Sequence, residues 1–227
     1  MNYILTQSQV KPIVDSYLRK QTVFKLEDVF DKLRAVRDNY IKTGDDNNLR
    51  YLLALCLRCR HGWRIPWKET KRAVDKLQES DILNKSFSDF ERLYKDVENL
   101  LGDIPFVRGD LTLYDTSVNI GQLLNPKVEP KDYVYLTAGA REGAGYIIGK
   151  KYVSRIMPTS VFAPIFHGIH NIDIENGLCI YKKLFKKLAE GNTLTDQEID
   201  EAYNPHCFNL GSKEVYFSHL NNCDILY

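Results

Sequence analysis

The stretch YLTAGAREGAGYI, residues 135–147, decides how this chain is read. A β-flavoured lead-in, YVYL, runs into small residues with one arginine among them, and the chain then continues as helix. Backbone this bare serves close approach, whether of a phosphate, of another helix, or within a tight corner. A nucleotide loop is excluded first. The Rossmann fingerprint needs G-x-G-x-x-G after a strand, and the phosphate loop of NTPases needs G-x-x-x-x-G-K-[ST]. Here Gly139, Gly143 and Gly145 give G-x-x-x-G-x-G, with no Lys-Ser/Thr behind them and no βαβ run in front.

Two readings remain. Gly139 and Gly143 lie one turn apart, as do Ala140 and Ala144, so one face of the helix is bare and a second helix can pack closely on it. The segment DLTLYDTSVNIGQLL, 110–124, is the partner expected for that contact. Alternatively the small residues form the turn of a helix–hairpin–helix element, whose backbone N–H groups and following helix N-terminus grip a DNA phosphate. Such a grip carries affinity and no sequence information.

Outward from this stretch the chain reads as helices. LEDVFDKLRAVRDNYI sets Val29, Leu33, Val36 and Tyr40 on one stripe. LRYLLALCLRCR is more apolar and central. Pro66 suits the start of the next helix. SFSDFERLYKDVENLLG opens with Ser88 and Glu91 at capping-box spacing and stops at Gly102. Thr195 and Glu198 repeat that spacing. IDIENGLCIYKKLFKKLAEG carries Ile174, Leu178 and Leu184 at helical intervals. Strand signals are confined to DYVYL and KEVYF. The expected fold is all-α: a multi-helix globular protein with a helix–hairpin–helix-like element and minor short strands at most. DIPFVRGD interrupts the pattern, so an N-terminal helical layer, 1–102, is expected before a hairpin-containing half, 103–227, as two domains or as parts of one compact domain.

The 227 residues are 44% apolar and 27% charged with a formal net charge of +1, so nucleic-acid affinity has to come from local patches. No signal sequence or spanning segment is visible, and five scattered cysteines read as reduced thiols; a cytoplasmic protein without membrane contact is expected. Cys56 and Cys59 have C-x-x-C spacing near His61, but they fall in an apolar helix. His206–Cys207 and the His167/His170 pair lack completing ligands, so neither a metal nor a cofactor is expected.

LTAGAREGA, 136–144, resembles the hairpin signature of the helix–hairpin–helix DNA glycosylases, the 8-oxoguanine glycosylase type especially. The block from LTLYDTSVNIGQLL through YVYLTAGAREGA is similar to bacterial proteins assigned to that fold. The resemblance spans roughly residues 103 to 190. The family's turn glycines align with Ala138 and Ala140, and its catalytic lysine aligns with Glu142, which cannot form a Schiff base. What it implies is a monofunctional N-glycosylase that binds duplex DNA, flips out a modified base and hydrolyses its glycosidic bond, in repair or in defence against modified foreign DNA.

Under that reading Gly139, Ala140, Arg141 and Gly143 hold a phosphate, with Lys150 and Lys151 extending the basic surface. The family's aspartate corresponds to Asp173 in IDIE. Asp115 is the rival carboxylate; an aspartate inside an apolar helix calls for a partner, and Arg141 is one candidate. From Arg58 to Lys76 seven Lys or Arg face only Glu69 and Asp75. Arg58, Arg60 and Arg64 are candidates for the DNA backbone there, and Trp63 or Trp67 for stacking. Two alternatives stay open: a DNA-binding module without chemistry, and a helical protein-interaction domain whose bare α-face is packing.

Overall fold

The computed structural model describes residues 3–21, 26–58, 65–203, 214, 217 and 218. In chain order the helices are α1 (Gln7–Gln21), α2 (Leu26–Thr43), α3 (Asp46–Arg58), α4 (Trp67–Glu79), α5 (Phe90–Leu101) and α6 (Asp110–Leu123). Strand β1 (Tyr133–Tyr135), α7 (Ala138–Ile148), β2 (Ile156–Pro158), the single turn α8 (Thr159–Phe162), α9 (Asn171–Ile180), α10 (Lys182–Ala189) and α11 (Asp196–Ala202) follow. The protein is all-α, with one short two-stranded sheet among the described residues. Of the tail, only Glu214, Phe217 and Ser218 are described, and they are helical.

Contacts divide the chain into two compact units, Met1–Lys25 with Pro130–Pro205, and Leu26–Glu129 with His206–Tyr227. This contact division does not fall at 102/103. In DIPFVRGD, Ile104 and Val107 are fully buried and Asp103 is ion-paired to Arg72 and Lys76 of α4. That segment is a tight connection between α5 and α6, which pack on each other inside one unit.

In the second unit α6 is the central element, with every residue from Leu113 to Leu123 buried against neighbours that include α2, α3 and α5. A helix enclosed on all sides is usually apolar, yet this one carries Asp115, Thr116, Ser117, Asn119 and Gln122. Hydrogen bonds offset part of that cost: Ser117 donates to the Leu113 carbonyl (2.7 Å), Asn119 to the Cys56 carbonyl (2.9 Å) and Gln122 to Glu129 (2.7 Å).

In the first unit β1 pairs antiparallel with β2, Val134 opposite Met157. The Asn171 side chain ties the start of α9 to this sheet by donating to the Lys131 and Tyr133 carbonyls and to Thr159. The core collects Leu136, Ala140, Ala144 and Ile147 with Val10, Phe162, Leu178 and Phe185. Two helices replace the one expected over 172–191. Tyr181, with φ −95° and ψ 12°, interrupts the α-helical path, and its side chain is fully buried.

Caps follow side-chain chemistry. Asp89, not Ser88, caps α5: its carboxylate accepts from the Arg92 N–H while Ser88 donates to the other oxygen. Thr195 and Glu198 form the reciprocal box at the start of α11. The hydrogen bond from Lys187, followed by those from Thr195, pulls the Glu198 carboxyl from the ordinary 4.5 to about 2. A depressed folded value stabilises above the ordinary pKa and loses its effect as pH falls towards about 2. The melting temperature is therefore expected to fall across that interval, and Glu198→Gln to flatten the slope; identical slopes in a pH series of thermal melts would refute the assignment.

Candidate functional site

The face that singled out 135–147 is occupied by the protein's own chain. α7 packs on α9 and α10. A Cβ on Gly143 would stand 2.2 Å from the Leu178 carbonyl oxygen and 2.9 Å from its carbon. One on Gly139 would stand 2.5 Å from Cys179 Sγ. Ala140 and Ala144 are completely buried in the same core. The bare face is thus a helix contact, and its partners are α9 and α10; residues 110–124 were expected in that place. The element leading into α7 is strand β1, so 135–147 is a strand–turn–helix corner here, and not a turn between two helices.

Thr137 caps α7 without bonding to its N–H groups. Instead its hydroxyl donates to Glu175 of α9 at 2.5 Å, and both side chains are nearly inaccessible, at 2% and 1% exposure. Ionised, Glu175 would bring a negative charge to the positive end of the α7 dipole. A phosphate arriving at this helix start would have to displace it.

Asp173 lies two residues before Glu175, hence on roughly the opposite side of α9. It accepts a hydrogen bond from Tyr17 of α1 at 2.7 Å. The Tyr17, Tyr181 and Tyr203 rings are in mutual contact beside it. Burial, and then the Asp173 charge, raise the Tyr203 hydroxyl above its ordinary value. Asp115 belongs to the other unit, on α6, and is buried. Glu175 is the carboxylate the sequence reading missed. The signal was present in IDIE: a second acid two positions on, where an α-helix turns it toward another neighbour.

The remaining candidates divide as follows. Arg141 is half-buried and its guanidinium donates to the Leu136 carbonyl at 3.3 Å. Lys150 and Lys151 are exposed in a short turn after α7, with Nζ over the Tyr146 and Tyr152 rings. Arg58 ends α3, while Arg60, Trp63 and Arg64 lie outside the described residues. Trp67 is half-buried at the first position of α4. Much of the α4 charge is neutralised locally: Arg50 and Lys71 bond Asp75, while Arg72 and Lys76 bond Asp103. On α10, Lys182 pairs with Glu142 at 2.9 Å and Lys187 with Glu198 at 2.8 Å. The Lys182 hydrogen bond holds the Glu142 carboxyl below the ordinary range.

Among the described residues no three His, Cys, Asp or Glu side chains are grouped to hold a metal ion, and no helix is long and apolar enough to cross a membrane. The chain is an all-α protein whose small-residue helix is a packing element. It matches no protein-family model, and no curated protein or solved structure is similar to it.

Proposed function

We propose that this chain is a helical protein-interaction module rather than a DNA glycosylase. The observation that carries the reading is the Leu178 carbonyl 2.2 Å from where a Gly143 side chain would begin. Of the residues that would clasp a phosphate, Gly139, Ala140 and Gly143 lie on the packed face of α7, and Arg141 donates to the Leu136 carbonyl. Two further features support it. The start of α7 has its own buried carboxylate in Glu175, and the described cations on α4 and α10 are largely matched by acids. Cations matched in this way contribute little electrostatic attraction to a polyanion.

The test is incubation with duplexes carrying oxidised, deaminated and alkylated bases, followed by mild alkali, alongside mobility-shift titration at low salt. Intact strands and no duplex affinity are expected. The placement of Glu175 at Thr137 favours one second reading, N-glycosidic hydrolysis with Glu175 supplying the carboxylate. Strand breaks that disappear in Glu175→Gln would establish it and remove the interaction reading. Breaks that disappear in Asp173→Asn would restore the carboxylate implied by the glycosylase resemblance, and breaks that disappear in Asp115→Asn its rival.

A further inference from the structure

Just past the end of α7, two exposed apolar side chains stand together with unmatched cations. Gly149 adopts φ +89° and ψ 128°, a region open to glycine, and turns the chain sharply out of the helix. The Tyr152 N–H donates back to the Gly149 carbonyl at 3.0 Å, which closes the short turn Lys150–Tyr152. The amino-terminal segment is fixed on the same helix end, where the Ile4 N–H donates to the Ile147 carbonyl at 2.7 Å. Both segments meet at Gly149: a Cβ there would stand 3.3 Å from the Tyr152 ring and 3.8 Å from Ile4 Cδ1. Tyr152 and Ile4 therefore form one apolar step, yet they remain 45% and 51% exposed. Backbone hydrogen bonds hold the step from both sides, so a partner would meet it preformed.

The charge at this step indicates the partner. Lys151 Nζ lies over the Tyr152 ring, 4.9 Å from its centroid, and the neighbouring Lys150 Nζ lies 5.7 Å from that of Tyr146. Among the described residues neither ammonium group is ion-paired, in contrast to Lys71, Lys76, Lys182 and Lys187. Glu142, which Lys150 also influences, is matched by Lys182 at 2.9 Å. No aspartate or glutamate occurs within 1–14 or 143–172, the two stretches that build the step. Building on the interaction reading above, we propose that Ile4, Tyr152 and Lys151, with Lys150 beside them in the turn, form a docking surface for an acidic segment of another protein. An apolar side chain of that segment covers Ile4 and the Tyr152 ring while its carboxylates meet the lysines. A nucleic acid strand fits less well, because Lys151 already occupies a face of the ring on which a base would stack.

The test titrates the full chain on immobilised peptide pools in which Leu and Phe alternate with Asp and Glu, with Ser and Gln, or with Lys and Arg. A single-stranded oligonucleotide of mixed sequence is titrated beside them. The acidic pool is expected to bind best, and Lys151→Glu to lose roughly tenfold or more of that binding while Lys151→Arg keeps it. Tyr152→Ala should lose a similar factor, as an aromatic anchor does. Lys151 is exposed, so its variants should melt at the wild-type temperature, which separates lost binding from misfolding. Lys32→Glu, an equal charge change at an exposed position of α2, should bind as the wild type does. Acidic-pool binding unchanged in Lys151→Glu, or lowered as much by Lys32→Glu, would overturn the assignment while leaving the interaction reading in place. Equal binding to all pools, binding to none, or tighter binding of the oligonucleotide would overturn it too. Base excision in the duplex assay would instead remove the reading beneath it.

Discussion

A Gly143→Ala substitution is expected to destabilise the protein by roughly 2 kcal/mol and to lower the melting temperature of the 227-residue chain by about 4–8 °C. The sign is the reverse of what helix propensity gives, since alanine in place of glycine inside a helix ordinarily stabilises by about 1 kcal/mol. What reverses it is the identity of the obstacle. The new methyl meets the Leu178 backbone, with its oxygen at 2.2 Å, carbon at 2.9 Å and Cα at 3.3 Å. Backbone in the last turn of α9 cannot rotate aside as a side-chain end would, so α7 and α9 must separate. Gly177, one residue from Leu178 on the same helix, supplies the control because a Cβ there meets nothing within 4 Å. Gly177→Ala should follow propensity and gain about 0.5–1 kcal/mol. Urea titrations of the pair settle the matter: two changes of the same sign would show that α7 and α9 are not in this contact.

Removing the Glu175 carboxylate is expected to cost on the order of 3 kcal/mol. Glu175→Ala leaves the Thr137 hydroxyl buried without its acceptor 2.5 Å away and opens a void at the start of α7. Glu175→Gln keeps an acceptor and should cost less. Pairing Thr137→Val with Glu175→Leu takes away both halves of the hydrogen bond, so the double variant should be more stable than the sum of the single changes predicts. Strict additivity in that cycle would mean that the Thr137–Glu175 bond contributes nothing measurable.

These two sites mark how far the sequence could be read. Helical periodicity was legible wherever one face is solvated, as in 26–41. So were local stop and start signals: Gly102 ends α5, and Thr195 with Glu198 opens α11. The spacing of Gly139 and Gly143 revealed a close helix contact but not its partner, because a bare face fits any neighbour. The choice of α9 rests on packing between segments far apart in the chain. β2 went unread, since three residues ending in Pro158 are too few for an alternating pattern. DIPFVRGD has the composition of a linker, yet it lies inside one contact unit. What makes it integral, burial of Ile104 and Val107 and the Asp103 ion pairs, is tertiary. The carboxylates show the same limit: IDIE offers two acids, and only the direction of each from α9 separates the partner of Tyr17 from the partner of Thr137.

The way the first unit is assembled from distant segments has a consequence for biosynthesis. α1 is synthesised well before the segments it packs on: Tyr17 bonds Asp173, 156 positions later, and Ser16 bonds Asp200, 184 positions later. At ordinary elongation speeds that is a wait on the order of ten seconds or more. During it Val10, Ile13 and Tyr17 have no core to enter, while the intervening residues 26–129 are already free to fold. The apolar face of α1 therefore has no native core to enter until residues 173–200 have been made.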